Sequence, residues 1–196
     1  MARTVGADKA VTHERIVRAA AKAIRREGYD GTRVADVMKD AGLTHGGFYA
    51  HFKDREAMLV EALDFTAGET VATLIGQAQV NAAADDITPL EAMVDQYLSD
   101  SHLKTREAGC TIAALGSETR RQSPEIRRVA TKHLKELAAT ISREIDPAKK
   151  RSRDAISSEG LAALSTLVGA LVIARIVDDP ALADDVRAAA KIAVVG

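Results

Sequence analysis

Several residue types are scarce in this chain of 196 residues, which has one cysteine, four prolines, three tyrosines, three phenylalanines and no tryptophan. A single cysteine excludes an internal disulfide, so we expect a reducing compartment. Few prolines and short β-branched runs leave long stretches free to form helices, and alanine, the best helix former, is frequent. The composition therefore predicts an all-α fold.

Long apolar runs are also missing. The first ten residues, MARTVGADKA, contain no apolar signal core. The most apolar run, residues 161–174, contains Ser165 and Thr166, ends at Arg175 and is shorter than the roughly 20 residues that a membrane span needs. With 46% hydrophobic residues the chain can still bury a core. We expect a soluble cytoplasmic protein without a membrane partner.

The sequence has none of the motifs GxSxG, HExxH, P-loop or CxxC that mark enzymes or metal sites. Cys110 and His133 could be considered as a nucleophile and its base, but they are 23 residues apart and no known motif contains both, so the sequence does not indicate a catalytic pair. The histidines, which are His13, His45, His51, His102 and His133, show no metal-ligand spacing. We therefore expect neither an enzyme nor a bound metal or cofactor.

Charge is uneven along the chain although the net charge is only −1. Residues 1–60 hold 11 Lys and Arg against 8 Asp and Glu, and the excess of bases is larger before Glu27. This end of the protein is a candidate for a polyanion partner, and a solvated helix face is the alternative.

Helical spacing of apolar residues predicts about nine helices, no strand and no internal repeat. The first helix, from Thr12 to Glu27, has an apolar stripe and ends at Gly28, after an arm of residues 1–10 that we expect to be mobile. Its basic residues, expected on the remaining surface, are Arg15, Arg18, Lys22, Arg25 and Arg26. The next helices are two short ones, a long one ending near Gln77, and later ones beginning at Thr88, Cys110, Ser123, Ser157 and Asp179, with NAAADDI before Thr88 as a loop.

The two short helices run from Thr32 to Ala41 and from Thr44 to about His51, with Gly42 between them. A short helix, a tight turn containing glycine and a second short helix are typical of the helix-turn-helix motif. The second helix, in LTHGGFYAHF, contains adjacent glycines that each cost about 1 kcal/mol relative to alanine. A reason for them must lie outside helix propensity.

The segment from Thr32 to Leu59, TRVADVMKDAGLTHGGFYAHFKDREAML, resembles the DNA-binding domain of the TetR (tetracycline repressor) family of transcriptional regulators. The matching positions, in order, are Thr32, Ala41-Gly42, Thr44, Gly46, Tyr49, Phe52 and Leu59. The resemblance covers about the first third of the chain. The rest agrees only in length, helix count and the apolar final pair of helices.

This resemblance implies a helix-turn-helix DNA-binding domain over residues 1–56 and a larger helical effector-binding and dimerisation domain over residues 57–196. It also implies a homodimer that binds an inverted-repeat operator in double-stranded DNA. Two recognition helices would then enter major grooves one turn, roughly 34–36 Å, apart. A small molecule or electrophile in the larger domain would change that separation and release the DNA.

The resemblance also assigns residues to DNA. Thr32 and Thr44 lie at helix starts, where caps and phosphates satisfy backbone N–H groups, and Arg33 is adjacent. His45 and Gly47 depart from the family, which often has Lys and Ser or Thr there, so His45 is left with more of the base reading. The expected DNA-binding set is Thr32, Arg33, Thr44, His45, Gly46, Gly47, Tyr49, His51, Lys53 and Arg55, whereas Phe48 and Phe52 are expected in the core.

An aromatic-rich cage is not expected in the larger domain, because only Phe65 and Tyr97 are aromatic there. Candidate effector contacts, each with core or surface as the alternative, are Phe65, Met93, Tyr97, His102, Cys110, Leu115, His133 and Leu137. Cys110 follows a glycine at a helix start, where the helix dipole can activate a thiol. It is a candidate electrophile sensor, and a small buried apolar side chain is the alternative.

The last two helices are predicted to form the dimer interface, with an entirely intramolecular core as the alternative. The predicted interface residues are Leu161, Leu164, Val168, Leu171, Val172 and Ile176. The function predicted from the sequence is a ligand-responsive transcriptional regulator, a repressor that the effector releases from DNA. An effector-independent DNA-binding regulator is the alternative. Operator, effector and regulated genes do not follow from the sequence.

Overall fold

A computed structural model describes residues 5–105, 107, 109–149 and 152–196, without the side chains of residues 5–7 and 71. This part of the chain forms nine α-helices and one short 3₁₀ helix, and contains no strand. The helices are α1 (Val5–Gly31), α2 (Val34–Asp40), the 3₁₀ helix (His45–Ala50), α3 (Arg55–Asp85), α4 (Pro89–Tyr97), α5 (Asp100–Lys104), α6 (Thr111–Thr119), α7 (Pro124–Ile145), α8 (Ser158–Ile176) and α9 (Pro180–Val195). The all-α prediction is confirmed.

Side-chain caps begin α3, α4, α7, α8 and α9 where the sequence predicts them, whereas the predicted cap Thr44 makes no side-chain hydrogen bond at the start of the 3₁₀ helix. Asp54 accepts from the N–H of Ala57 at the start of α3. Thr88 and Glu91 form a reciprocal capping box on α4. Ser123 caps α7 and Asp179 caps α9, each followed by proline.

Three helix boundaries differ from the prediction. Residues 5–10 belong to α1 rather than to a mobile arm, and residues 1–4 lie outside the described residues. The alanine-rich NAAADDI segment continues α3 to Asp85, where Asp86 closes the helix with a left-handed φ of 54°. The short helix α5, capped by Ser99, was not predicted because one turn leaves no apolar period.

Thr32 is not a helix cap. The N-cap of α2 is Arg33, without a side-chain hydrogen bond. The buried hydroxyl of Thr32 donates instead to the carbonyl of Gly28 at 2.7 Å. Gly28 breaks α1 with a φ of 74°, as predicted for the end of the helix, and one further turn leads to Gly31.

Two hydrophobic cores lie on either side of the middle of α3. The first joins α1, α2, the 3₁₀ helix and the start of α3 to Leu115 and Ile126. The second joins the end of α3 to α4, α7, α8 and α9. Because α3 runs through both cores, the domain boundary at residue 56 stays a prediction.

Helix α8 reaches 19 residues and is apolar enough to span a membrane by length and composition alone, contrary to the prediction that this run is too short. The core helix of a soluble protein meets the same criteria. One side of α8 is buried among neighbouring helices through Leu164, Leu167 and Leu171. Its sequence is therefore explained by packing on that side.

Candidate nucleic-acid interface and internal cavities

Two buried aromatic rings hold the 3₁₀ helix against the first core. Phe48 and Phe52 are both buried, and their rings stack with centroids 5.5 Å apart. The Gly47 N–H donates to the carbonyl of Thr44, and the His51 N–H donates to that of Phe48. The prediction that both phenylalanines lie in the core is confirmed, and this anchoring compensates for the low helix propensity of the glycines.

Six of the ten residues predicted to bind DNA are exposed. Tyr49 is the most informative, because 71% of it is accessible while the neighbouring Phe48 is buried. The exposed residues are Arg33, Thr44, His45, Gly46, Tyr49 and Lys53, whereas Gly47, His51 and Arg55 are half-buried. We call these six exposed residues the 3₁₀ surface. It carries two cations, hydroxyl and imidazole groups and bare backbone, which are groups that contact phosphates and bases.

Two residues of the predicted set are occupied elsewhere. Thr32 is only 1% exposed, so its hydroxyl is not accessible to a phosphate. The Arg55 guanidinium donates to the carbonyls of Thr32 and Tyr29, and thereby ties α3 to the turn after α1. Both residues support the helix-turn-helix motif from behind, and we no longer expect Thr32 to contact DNA.

Packing inside the protein does not require glycine at either position of the pair. A Cβ atom on Gly46 would meet nothing within 4 Å. One on Gly47 would lie 3.6 Å from the terminal methyl of Met38, an ordinary contact. Internal packing therefore does not explain the glycine pair.

The start of α1 lies beside the end of the 3₁₀ helix, which the sequence does not predict. The His13 ring stacks on Phe52 at 4.6 Å and lies 5.9 Å from the His51 ring. Partial burial lowers the pKa of His51, and the nearby His13 and Lys9 lower it further. Lys9 is thus close enough to extend the cationic surface. Its charge, in the basic first helix, was the one feature of the sequence that could have predicted this position.

The predicted effector contacts do not converge on one site. Phe65 lies near the surface under Arg18, Leu115 belongs to the first core, and Met93 and Leu137 belong to the second. His133 is buried and bridges Asp64 and Glu136 at 2.8 Å each. Only Tyr97 and His102 share a cavity.

That cavity, which we call the Arg25 cavity, has a volume of about 330 Å³. It is enclosed by the end of α1, the middle of α3, and the segment from α4 to the residue after α5. Its walls are formed by Arg25, Glu69, Thr70, Thr73, Leu74, Gln96, Tyr97, Ser101, His102 and Thr105. Arg25 is 8% exposed, although the sequence predicts it on the helix surface. The cavity therefore combines a cation, hydroxyls and an aromatic ring.

His102 is a neutral part of this wall. The N–H of Cys110 can only donate, so Nε2 of His102, 2.8 Å away, accepts, and Nδ1–H donates to the Tyr97 carbonyl at 2.5 Å. Burial lowers the pKa of His102, and Arg175 lowers it further against the effect of the Tyr97 carbonyl. Cys110 itself is only 1% exposed, so an electrophile would reach its thiol only after local opening.

A second cavity of about 290 Å³ lies between α3, α6 and α7. Its walls are mostly apolar and include Leu63, Ile112 and Leu134, with Arg120 and Arg127 among the lining residues. Of the predicted effector contacts it includes only His133, whose two ring nitrogens are already occupied by carboxylates.

Helix α6 is hydrogen-bonded to the turn between α1 and α2. The Tyr29 N–H donates to Glu118 at 3.0 Å, and the Tyr29 hydroxyl lies 3.1 Å from that of Thr119. Next to Arg25, Arg26 pairs with Glu107 at 2.9 Å. Both contacts connect the helices behind the 3₁₀ surface to the larger helical part of the chain.

The predicted dimer residues divide between the two sides of α8. Leu164 and Leu171 are buried in the protein's own core, so they are not available to a partner. Val168 and Val172 are half-buried. The large apolar residues that stay exposed on α8 and α9, which we call the α8–α9 apolar face, are Leu161, Ile173, Ile176, Leu182 and Ile192.

Comparisons with known proteins give consistent results. Residues 16–62 match the model of bacterial regulatory proteins of the tetR family, and residues 87–190 match a tetracyclin repressor-like C-terminal domain. The chain is 34% identical over 170 residues to an uncharacterized HTH-type transcriptional regulator of Mycobacterium tuberculosis, a match that covers 83% of this chain and 84% of that protein.

Solved structures agree in fold. A TetR transcriptional regulator from Chloroflexus aurantiacus superposes with a TM-score of 0.73 at 22% identity, over 95% of this chain and 96% of that one. A TetR-family regulator from Cytophaga hutchinsonii gives 0.74 at 21% identity, over 96% of both chains.

Proposed function

The chain belongs to the TetR family of bacterial regulatory proteins, which are DNA-binding transcriptional regulators and not enzymes, and we propose that it acts in the cytoplasm as a homodimeric repressor of an inverted-repeat operator. The observation that carries this proposal is the 3₁₀ surface. Cations, hydroxyls, an imidazole and Gly46 are exposed there, on and around a 3₁₀ helix that Phe48 and Phe52 fix from behind.

The chemistry of each side chain assigns it a role in DNA binding. Arg33, Lys53 and the Thr44 hydroxyl hold the phosphate backbone, and Tyr49 donates to a phosphate through its exposed phenol. His45 lies in the first turn of the helix and reads a base edge. Gly46 and Gly47 let the backbone approach the groove closely.

The partner for a second half-site is another copy of this chain. The α8–α9 apolar face exposes five large aliphatic residues in a chain whose other apolar side chains are mostly buried. A two-fold interface would cover the same face on both copies, and would set the spacing of the two 3₁₀ surfaces.

Regulation by a small molecule fits the cavities better than regulation by an electrophile. Cys110 is buried, whereas the Arg25 cavity lies between α1 and the larger domain. A ligand there would contact α1, on which the helix-turn-helix motif is packed. An effector-independent regulator is the alternative, and it differs in that no small molecule changes DNA affinity.

The DNA-binding part of this proposal is tested by the salt dependence of affinity. Each phosphate contact contributes about one unit to the slope of log K against log salt concentration. We expect Arg33→Ala and Lys53→Ala each to reduce the slope by about two, because each substitution removes one phosphate contact from both copies of the homodimer. The slope is measured by fluorescence anisotropy on a selected operator. Arg121→Ala, on the turn after α6, is the control and should leave the slope unchanged. Unchanged slopes in both test variants would contradict the assignment.

A further inference from the structure

Arg25 is a buried cation without a partner. It is 8% exposed, and the structure gives it no hydrogen bond or ion pair with any described residue. Its Nε atom is inaccessible to solvent, and burial lowers the pKa of the guanidinium. An arginine nevertheless stays charged, and an unpaired buried charge destabilises the fold. Such a group is stabilised when an anion enters beside it.

The nearest carboxylates are already engaged with other cations. Glu69 and Glu107 both act on Arg25 through their charge. Glu69 pairs with Arg18 at 3.2 Å, and Glu107 pairs with Arg26 at 2.9 Å. The fold therefore leaves the Arg25 guanidinium facing the cavity rather than a carboxylate of its own.

The Tyr97 side chain forms part of the same wall. Tyr97 is 2% exposed, and its hydroxyl is inaccessible to solvent and lies beside Cys110, which is not among the residues that line the cavity. Burial, and then the neighbouring Cys110, raise the pKa of Tyr97 far above its ordinary value, so the phenol keeps its proton. A buried, unpaired cation that lines a small cavity together with hydroxyls and an aromatic side chain indicates a ligand that supplies a charged acceptor.

We propose that the Arg25 cavity binds a small organic monocarboxylate. The Arg25 guanidinium donates to the carboxylate, and the Tyr97 side chain packs against the body of the same ligand. Thr70, Thr73 and Ser101 face a polar part of the ligand body, and Leu74 packs against an apolar part. A single negative charge is favoured over the higher charge of a phosphate monoester, because Glu69 also lines the cavity and His102 is neutral.

Occupation of this site would act directly on the DNA-binding part of the chain. Arg25 lies in the last regular turn of α1, three residues before the break at Gly28. Its neighbour Arg26 reaches to within 3.9 Å of Asp40 on α2. A carboxylate held between Arg25 and α4 would therefore shift α1 against α3. This effect on DNA binding rests on the proposed function, whereas the binding of the acid does not.

Binding is tested by isothermal titration calorimetry of the full chain with three acids, hexanoate, benzoate and 4-hydroxybenzoate, against their uncharged amides and inorganic phosphate. We expect at least one acid to bind, and its amide to bind at least tenfold more weakly, because a charge-assisted hydrogen bond is lost. Absence of binding by all three acids, equal binding of acid and amide, or tighter binding of phosphate than of any acid would overturn the proposal.

Variants assign the site to Arg25. Arg25→Met should weaken acid binding at least tenfold, whereas Arg15→Met, an exposed position on the same helix, should not change it. Without ligand, Arg25→Met should melt at the same or a higher temperature, because an unpaired buried cation is removed. Acid binding that survives in Arg25→Met would show that the guanidinium does not bind the acid. A clearly lower melting temperature of that variant would show that the guanidinium stabilises the fold instead.

DNA release is measured separately, by anisotropy on the operator. If the acid binds without releasing DNA, the proposed binding site stands and only the proposed ligand response is contradicted. Release that depends on Arg25 would support both, and release that is unchanged in Arg25→Met would overturn this site as its origin.

Discussion

Gly46 and Gly47 are two residues whose identity is not determined by packing inside the protein. Neither glycine has a positive φ, and a Cβ atom on either would meet no close neighbour inside the protein. The cost of about 1 kcal/mol each in helix propensity is therefore not explained by internal packing. The proposed close approach of the backbone to the groove would explain it, and would leave His45 as the side chain in the first turn that can read a base.

Gly47→Ser is expected to leave folding unchanged and to alter operator binding. The added Cβ fits 3.6 Å from Met38, so the free energy of unfolding should stay within about 0.5 kcal/mol of the wild type. A new hydroxyl at the groove should change the affinity for the selected operator, or the preferred sequence, by roughly fivefold, equivalent to about 1 kcal/mol.

A bulkier residue, as in Gly46→Val, should abolish specific binding in the same anisotropy titration. Gly76→Ser in α3, which also has open space around it, is the matched control for loss of glycine. Identical affinity and sequence preference for wild type and Gly47→Ser would mean that Gly47 is only tolerated there.

His102 makes the stability of the protein depend on pH. In the folded state its pKa lies below the ordinary 6.5, because burial disfavours the charged ring. Between 6.5 and the lower folded pKa the unfolded chain binds more protons, so stability falls as the pH falls through this window. Protonation would also turn Nε2 into a donor facing the Cys110 N–H.

We therefore expect the urea midpoint of unfolding to drop between pH 7 and pH 5, and to drop less in His102→Gln, which should be less stable at pH 7. His45→Gln, at an exposed position, is the control and should keep the wild-type pH dependence. A midpoint that rises on acidification would contradict the described hydrogen bonds of His102.

Among helices, local signals were predictable and long-range ones were not. The caps at Asp54, Thr88 and Ser123 follow from neighbouring residues, and the structure has them. Thr32 carries the same signal, but the Gly28 carbonyl four residues earlier takes its hydroxyl. The sequence places Arg25 on the polar side of α1, and only the packing of α3, α4 and α5 over that side buries it.

Helix α8 also shows why the residues of the predicted interface could not be chosen from the sequence. Its apolar residues surround the helix, so the sequence cannot separate the side that packs inside from the side that stays exposed. Leu164 and Leu171 are used inside, and Ile173, which was not predicted, is exposed beside Ile176. The dimer itself stays a prediction.

Ile176→Lys should disrupt the dimer without disrupting the fold, because 74% of Ile176 is exposed in the single chain. Burial of an isoleucine contributes roughly 1.5–3 kcal/mol, and a two-fold interface loses it twice, so the dimer dissociation constant should rise by roughly a hundredfold or more. Sedimentation velocity at micromolar concentration measures this.

Val80→Lys, at a similarly exposed apolar position on α3, is the control and should stay dimeric. A wild-type chain that sediments as a stable monomer would reject the interface altogether.

The chain as a unit connects the helix-turn-helix motif to the Arg25 cavity. Tyr29 with Glu118 connects α6 to the turn behind the 3₁₀ helix, and Arg25 brings the cavity to α1. The sequence predicted the DNA-binding end by its motif, whereas the cavity depends on residues far apart in sequence. Tyr97 and His102 were the two predicted effector contacts that the fold brings together there.

Selection of bound sequences from a random pool of double-stranded DNA tests dimeric, sequence-specific recognition most directly. We predict enrichment of an inverted repeat whose half-sites are about one helical turn, roughly 10 base pairs, apart, and loss of that enrichment with Gly46→Val or Ile176→Lys. Enrichment of a single half-site, or no enrichment over the starting pool, would contradict it.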